Sequence, residues 1–404
     1  MPPPPPLRQP PELLEELVVE ILLRISPNDP ADLLRASLVC KSWRRFLSDP
    51  VFRQRYCRYH RTPPLLGFVA DEGHSSSFVS TVASPCSMPT LDCFYWWVLD
   101  SRHGRILIHT FQPSEIVVWD PLTRERKRVP SPPYPHSYYY TGAVLCDTAG
   151  CDHLGCHGGP FRLFYVGADG DGSIWVSVYS SETGAWDTSS SIKLDVPPVM
   201  WPILRMEDAL YFMADQGRSI LVYNMAGRSL SVIEAPNKED REGSIVMMLE
   251  DSRLGLVQVV DRMLYLWSRE EAGADGTAGW KQWRVIDLAT LLPLSTMFVW
   301  ITIVGFVEGT DTIFLSTNEG IFTLKIKAGR VKKVGERGSY SVVIPYTVMQ
   351  TSKFVAVYPK PDVNIDHFLM SLAFFQRRIG GTTGHEGGVV GRAVEVRRPE
   401  QENA

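Results

Sequence analysis

The sequence predicts a multidomain chain, with a small all-α helical module at the N-terminus followed by an all-β propeller of about six blades. Three observations carry that reading. Between residues 13 and 47 apolar residues recur at three- and four-residue intervals, the period of helices. From Pro63 the pattern becomes short alternating runs separated by Gly, Pro, Asp and Asn, the punctuation of strands. Within this second region one hairpin recurs, and its anchors Tyr179, Tyr223 and Trp267 each lie 44 residues apart, a propeller-blade spacing.

In the helical module, Leu13, Leu14, Leu17, Val18, Ile21, Leu22 and Ile25 follow helical spacing, with Glu12, Glu15, Glu16, Glu20 and Arg24 on the remaining faces. Acidic residues at the start and Arg24 at the end suit the helix dipole. Ser26-Pro27-Asn28-Asp29-Pro30 ends this helix. Asp29 is the expected N-cap of the next, with Pro30 at its first position. A second helix over Leu33–Leu38 and a third over Val39–Leu47 follow, ending near Ser48-Asp49-Pro50. So small a helical unit cannot bury that much Leu, Trp and Phe alone, which points to a partner. The basic, Tyr-containing stretch Arg53–Arg61 reads as a solvated helix face rather than a nucleic-acid site, because the whole chain carries a net charge of −4.

The second region repeats a strand ending in an aromatic or apolar anchor, a polar turn and a second strand. The copies are Ile116–Pro130, Trp175–Trp186, Ile220–Val232, Leu264–Trp267 with Trp283–Ile286, and Ile321–Val334. Another strand precedes each: Arg105–His109, Phe161–Val166, Ala209–Met213, Gly255–Val260 and Thr312–Ser316. Five blades are visible. A sixth is expected from Leu65–Ala70 together with strands in Ser341–Tyr358, since closing the circle removes free sheet edges. The expected boundaries are a disordered Pro-rich start at 1–10, the helical module at 11–60, the propeller at 63–375 and a disordered Gly- and Arg-containing tail at 376–404.

At 404 residues, 44% hydrophobic and 21% charged, the composition is that of a globular protein. No apolar run reaches the roughly 18–20 residues needed to span a bilayer. The opening Met1–Pro6 lacks the charged and apolar regions of a signal peptide. Together with the odd count of seven cysteines, this leads us to expect reduced thiols and a cytoplasmic or nuclear location. Neither nucleic acid nor membrane is an expected partner.

The wording of the N-terminal module resembles an F-box over roughly residues 13–52. Glu16–Ile25 is similar to its first helix. Asp32-Leu33-Leu34, Leu38-Val39-Cys40-Lys41-Ser42-Trp43 and Asp49-Pro50 are similar to its later signature positions, although Leu13-Leu14 stands where the family usually has Leu-Pro. The resemblance implies docking on a Skp-type adaptor, and through it a cullin, with Leu17, Ile21, Leu22, Leu33, Leu34, Val39, Cys40 and Trp43 as adaptor-binding residues. The second region resembles the kelch-like F-box-associated β domains of plant F-box proteins, especially grass ones, through Arg61–Phe68 and Val118–Thr123. The function so implied is substrate recognition for a Skp–cullin–F-box E3 ubiquitin ligase, with an unidentified target protein held by the propeller. An F-box scaffold without ubiquitin transfer is the alternative, and a sugar-binding or hydrolytic propeller a third.

The chain carries no nucleophile elbow, phosphate-binding loop or metalloprotease motif, and the expectation is a non-catalytic receptor without cofactor. Cys146, Cys151, His153, Cys156 and His157 offer zinc-type ligands in one loop. Their spacing matches no standard zinc module, so a loop insertion with reduced thiols is the favoured reading and structural zinc the other. Asp169–Ser173 lacks the later carboxylate of a calcium loop and reads as a hairpin turn. Tyr138, Tyr139, Tyr140, Trp96 and Trp97 are candidate anchors for a target, or equally blade packing.

Overall fold

A computed structural model describes residues 14–349, apart from 29, 72–75, 82–95, 122–123, 133–138, 154–157, 170–171, 194–202, 215–216, 237–242, 250, 271–277, 294–299, 337, 339 and 341. Four helices come first: α1 (Glu15–Leu23), α2 (Pro30–Val39), α3 (Lys41–Ser48) and α4 (Pro50–His60). Pro30 opens α2 as expected, whereas Asp29 lies outside the described residues. Asp49 caps α4 by accepting a hydrogen bond from the Val51 amide at 3.0 Å, with Pro50 at the first helical position. The basic stretch is helical. Phe52, Tyr56 and Cys57 turn inward, and the Tyr56 hydroxyl donates to the Ile25 carbonyl at 2.8 Å. His60 Nε2 lies 2.9 Å from the Leu23 carbonyl, so α4 satisfies groups left open where α1 ends.

The remainder is a six-blade propeller. Blade 1 is β3 (Trp96–Arg102), β4 (Arg105–Phe111), β5 (Ser114–Asp120) and β6 (Glu125–Val129). Blade 2 is β7 (Tyr139–Cys146), β8 (Phe161–Ala168), β9 (Ser173–Ser180) and β10 (Ala185–Lys193). Blade 3 is β11 (Leu204–Met206), β12 (Ala209–Ala214), β13 (Ser219–Asn224) and β14 (Ser229–Glu234). Blade 4 is β15 (Ile245–Met248), β16 (Leu254–Val260), β17 (Met263–Arg269) and β18 (Trp280–Asp287). Blade 5 is β19 (Ile301–Val307), β20 (Thr312–Thr317), β21 (Gly320–Lys325) and β22 (Arg330–Gly335).

Blade 6 closes the ring with strands from both ends of this region. β1 (Leu65–Asp71) pairs with β2 (Ser76–Ser80) on one side and with β23 (Val342–Thr347) on the other. β23 lies between β19 and β3, so the first strands of successive blades line the central axis.

The repeated hairpin has one geometry throughout. Its anchor sits on the third strand of blades 1 to 5 and faces an aliphatic residue on the second. The pairs are Ile106–Trp119, Leu163–Tyr179, Leu210–Tyr223, Leu256–Trp267 and Ile313–Leu324. All are buried except Trp267, which is half-buried. Such cross-strand pairs hold the sheet together and form the apolar layers between blades. Blades also approach closely at the backbone. A Cβ on Gly305 of β19 would lie 2.3 Å from the Val343 carbonyl oxygen of β23, so only glycine fits there.

Among the described residues no helix is long and apolar enough to cross a membrane. The segments read as disordered, 1–10 and 376–404, lie outside the described residues, as does the expected strand region beyond residue 349.

Candidate functional site: the helical docking surface and the channel mouth

The helices offer apolar side chains in two directions. Val18, Leu22 and Leu23 of α1, and Ala31, Leu33, Leu34 and Ala36 of α2, are buried within the chain. Leu14 and Leu17 beside them remain 69% and 50% exposed, and Leu38 and Val39 at the end of α2 remain 51% and 38% exposed. Cys40 is also exposed, at the N-cap of α3, while Ile21 and Trp43 are half-buried. The eight residues named for adaptor binding therefore divide. Leu17, Val39 and Cys40 are available to a partner, Ile21 and Trp43 partly so, and Leu22, Leu33 and Leu34 are core. The division has a simple cause: helical period identifies apolar faces but not which face the domain itself consumes. Sequence reasoning did not single out Leu14 and Leu38, which are exposed beside these residues; their position on the same helical period was the available signal.

Residue Pro63, three past α4, lines a cavity of about 200 Å³ at one end of the central channel. Turns joining the first and second strands of blades 1 and 5 also line it, through Arg102, His103 and Glu308. Arg102 is buried and donates to the Glu308 carboxylate at 2.9 Å and to the Ile203 carbonyl. Glu308 in turn accepts from the Arg205 amide at 2.8 Å. The network thus joins blades 1 and 5 to the entry of blade 3 across the mouth. Asp100 lies 3.7 Å from Arg102 and accepts from the Val144 amide of blade 2 at 2.9 Å. Burial pushes the Asp100 carboxyl up to about 6, against the pull of Arg102. Burial and the neighbouring His153 push His103 down to about 3, so its imidazole is neutral at pH 7.

No sequence motif announced this network. The available signal was Asp100 and Arg102 standing in a strand that begins Trp96-Trp-Val-Leu99, where a propeller's innermost strand is otherwise apolar.

His153 lines the same cavity, its ring centroid 4.8 Å from that of His103. It belongs to the β7–β8 loop, where the ligand atoms of Cys146, Cys151 and His153 lie within 4.8 Å of one another. Cys156 and His157 lie outside the described residues. Burial lowers the His153 pKa, with Arg205 adding to the effect.

The aromatic candidates lie toward the opposite end of the channel. Tyr140 is buried, stacked on Tyr165 at 5.5 Å and on Trp97 at 6.4 Å, and Trp97 meets Phe111 edge-on at 4.8 Å. Blade packing accounts for Tyr140; Trp96 and Trp97 are half-buried. Tyr138 and the Tyr139 side chain lie outside the described residues. Trp175 Nε1 donates to Asp169 at 3.2 Å, and Asp169 N and Gly172 N close hydrogen bonds with Ser173 and Asp169 carbonyls, as a hairpin turn requires.

Two protein families match this architecture, one over the helices and one over the propeller. No curated protein matches the chain. Among solved structures, the nidogen/laminin complex is similar at 10% identity over 70% of this chain and 98% of that one, with a TM-score of 0.42. U3-55K is similar at 11% identity over 69% and 78%, with a TM-score of 0.37. Residues 15–59 match the F-box-like domain. Residues 97–354 match the family described as "F-box protein AT5G49610-like, beta-propeller", and the chain belongs to that family.

Proposed function

We propose that this chain is the substrate-recognition subunit of a Skp–cullin–F-box E3 ubiquitin ligase. One observation carries the reading: F-box-like helices keep Leu14, Leu17, Leu38 and Val39 in water after their own core is complete. F-box domains bind Skp1-type adaptors, and exposed aliphatics beside a finished core are what such a groove accepts. The adaptor brings the cullin, and the propeller brings a target protein. The chain itself performs no chemistry. It raises the effective concentration of a target lysine beside a charged E2 enzyme.

With α4 leading into the mouth lined by Pro63, the opposite propeller face is left for the target. That face carries turns between second and third strands and the links between blades, where propeller loops converge. A cytoplasmic or nuclear location belongs to the same proposal, as does the narrower likeness to kelch-like domains of grass F-box proteins. Reconstitution of the full chain with adaptor, cullin, E1, E2 and ubiquitin tests it. Ubiquitin chains on a captured protein that require both the exposed leucines and the propeller support the reading. An adaptor complex that never supports transfer would favour a scaffold.

A further inference from the structure

We propose that Cys146, Cys151 and His153 form a zinc site that fixes the β7–β8 loop at the channel mouth. Cys146 ends β7, and the loop then folds back so that two thiols and an imidazole gather within 4.8 Å of one another. Around tetrahedral zinc, sulfur and nitrogen ligands stand roughly 3.5 Å apart, given metal bonds of about 2.0–2.3 Å. Closure therefore requires each ligand atom to move by about an ångström or less, a rotamer adjustment in a loop.

The backbone already holds the shape. Cys151 N donates to the Thr148 carbonyl at 3.2 Å, and Asp147 N to the Pro160 carbonyl at 3.0 Å. Gly150 and His153 take positive φ of 67° and 56°, which turns the loop twice within a few residues. On its far side Arg105 of blade 1 donates to the Gly158 carbonyl and to that of Gly159 at 2.8 Å.

The donor set selects the metal. Two thiolates and a neutral imidazole suit zinc, and not the oxygen-seeking calcium or magnesium. Two thiolate charges cancel those of the ion, which favours a half-buried position. The described residues fill three of the four tetrahedral positions. The site would also stiffen a rim: the His153 ring lies tilted against that of His103, 4.8 Å between centroids, at the cavity. This inference is independent of ubiquitin transfer.

The test uses the full chain, purified under reducing conditions, equilibrated with zinc and dialysed exhaustively. The expected content is about one zinc ion per chain, falling below about a tenth in Cys146→Ser/Cys151→Ser. Cobalt in place of zinc is expected to give a thiolate-to-metal charge-transfer band, weakened in His153→Ala. A chelator is expected to lower the melting temperature of the wild type but not of the double variant. Wild-type protein with less than about a tenth of an equivalent overturns the site, as does zinc retained undiminished in the folded double variant. Should the double variant fail to fold, absence of the cobalt–thiolate band in wild type overturns it alone. A Cys146–Cys151 disulfide that persists in the reduced preparation does so as well.

Discussion

Arg102 and Glu308 stand 206 residues apart in the chain and 2.9 Å apart in the fold. Their bond spans the channel mouth, and the Glu308 carboxylate also takes the Arg205 amide. Glu308→Ala leaves a buried guanidinium without its nearest counter-charge and is expected to cost about 2–4 kcal/mol, with Glu308→Gln milder because it retains an acceptor. Urea unfolding measures both. Equal stability of wild type and Glu308→Ala would show that the pair contributes nothing.

Trp119 is buried opposite Ile106 in blade 1. Its replacement by Ala is expected to cost about 3–5 kcal/mol of propeller stability and to leave adaptor binding intact. Its indole nitrogen has no hydrogen-bond partner among the described residues, so Trp119→Phe should cost much less. Loss of adaptor binding with unchanged melting would contradict the division of labour between helices and propeller.

Closure of the ring makes Gly305 a sensitive position. Gly305→Ala puts a methyl group against backbone of β23, where no side chain can rotate away. The expected loss is about 1–3 kcal/mol, read as a lower melting temperature. A neutral result would mean that blades 5 and 6 approach less closely than the structure shows.

The half-buried ring of His109 contacts the Tyr140 hydroxyl, and its other nitrogen lies 3.1 Å from Ser114 Oγ. Burial lowers its pKa from 6.5 to about 4. The unfolded chain then binds more protons between about pH 4 and 6.5. His109 therefore favours the fold fully above 6.5, and that contribution is lost as pH falls toward 4. His109→Gln is expected to flatten the fall in melting temperature over this window. Asp100 acts oppositely: its raised pKa makes the fold lose stability as pH rises toward 6, so the comparison must be between variant and wild type. An unchanged slope in His109→Gln would show that His109 titrates normally.

The two-part fold was legible because its signals are local. Helical period marked α1 to α3, and the recurring anchors marked the second and third strands of five blades. Pairing of Leu65–Asp71 with Val342–Thr347 followed from the need to close a ring. Which apolar residues of the helices stay exposed was only half legible. In α1, Leu17 and Leu22 belong to different apolar faces, and sequence period does not say which one the module buries. The Arg102–Glu308 network left only the polar residues Asp100 and Arg102 in an apolar strand as a signal, because it is made by residues of different blades that meet only after the ring closes. The β7–β8 loop offered the right ligand types but no familiar spacing; folding brings three of them together.

The most direct measurement is the affinity of the full chain for a Skp-type adaptor, with Leu17→Asp/Val39→Asp and Leu33→Ala as separate variants. The expected result is a stoichiometric complex that Leu17→Asp/Val39→Asp abolishes with melting unchanged, because both side chains are exposed. Leu33→Ala is expected to act instead through stability, costing about 2–5 kcal/mol. No complex with a folded wild-type chain would contradict the adaptor-binding reading. Full affinity in Leu17→Asp/Val39→Asp would contradict the surface assigned to it.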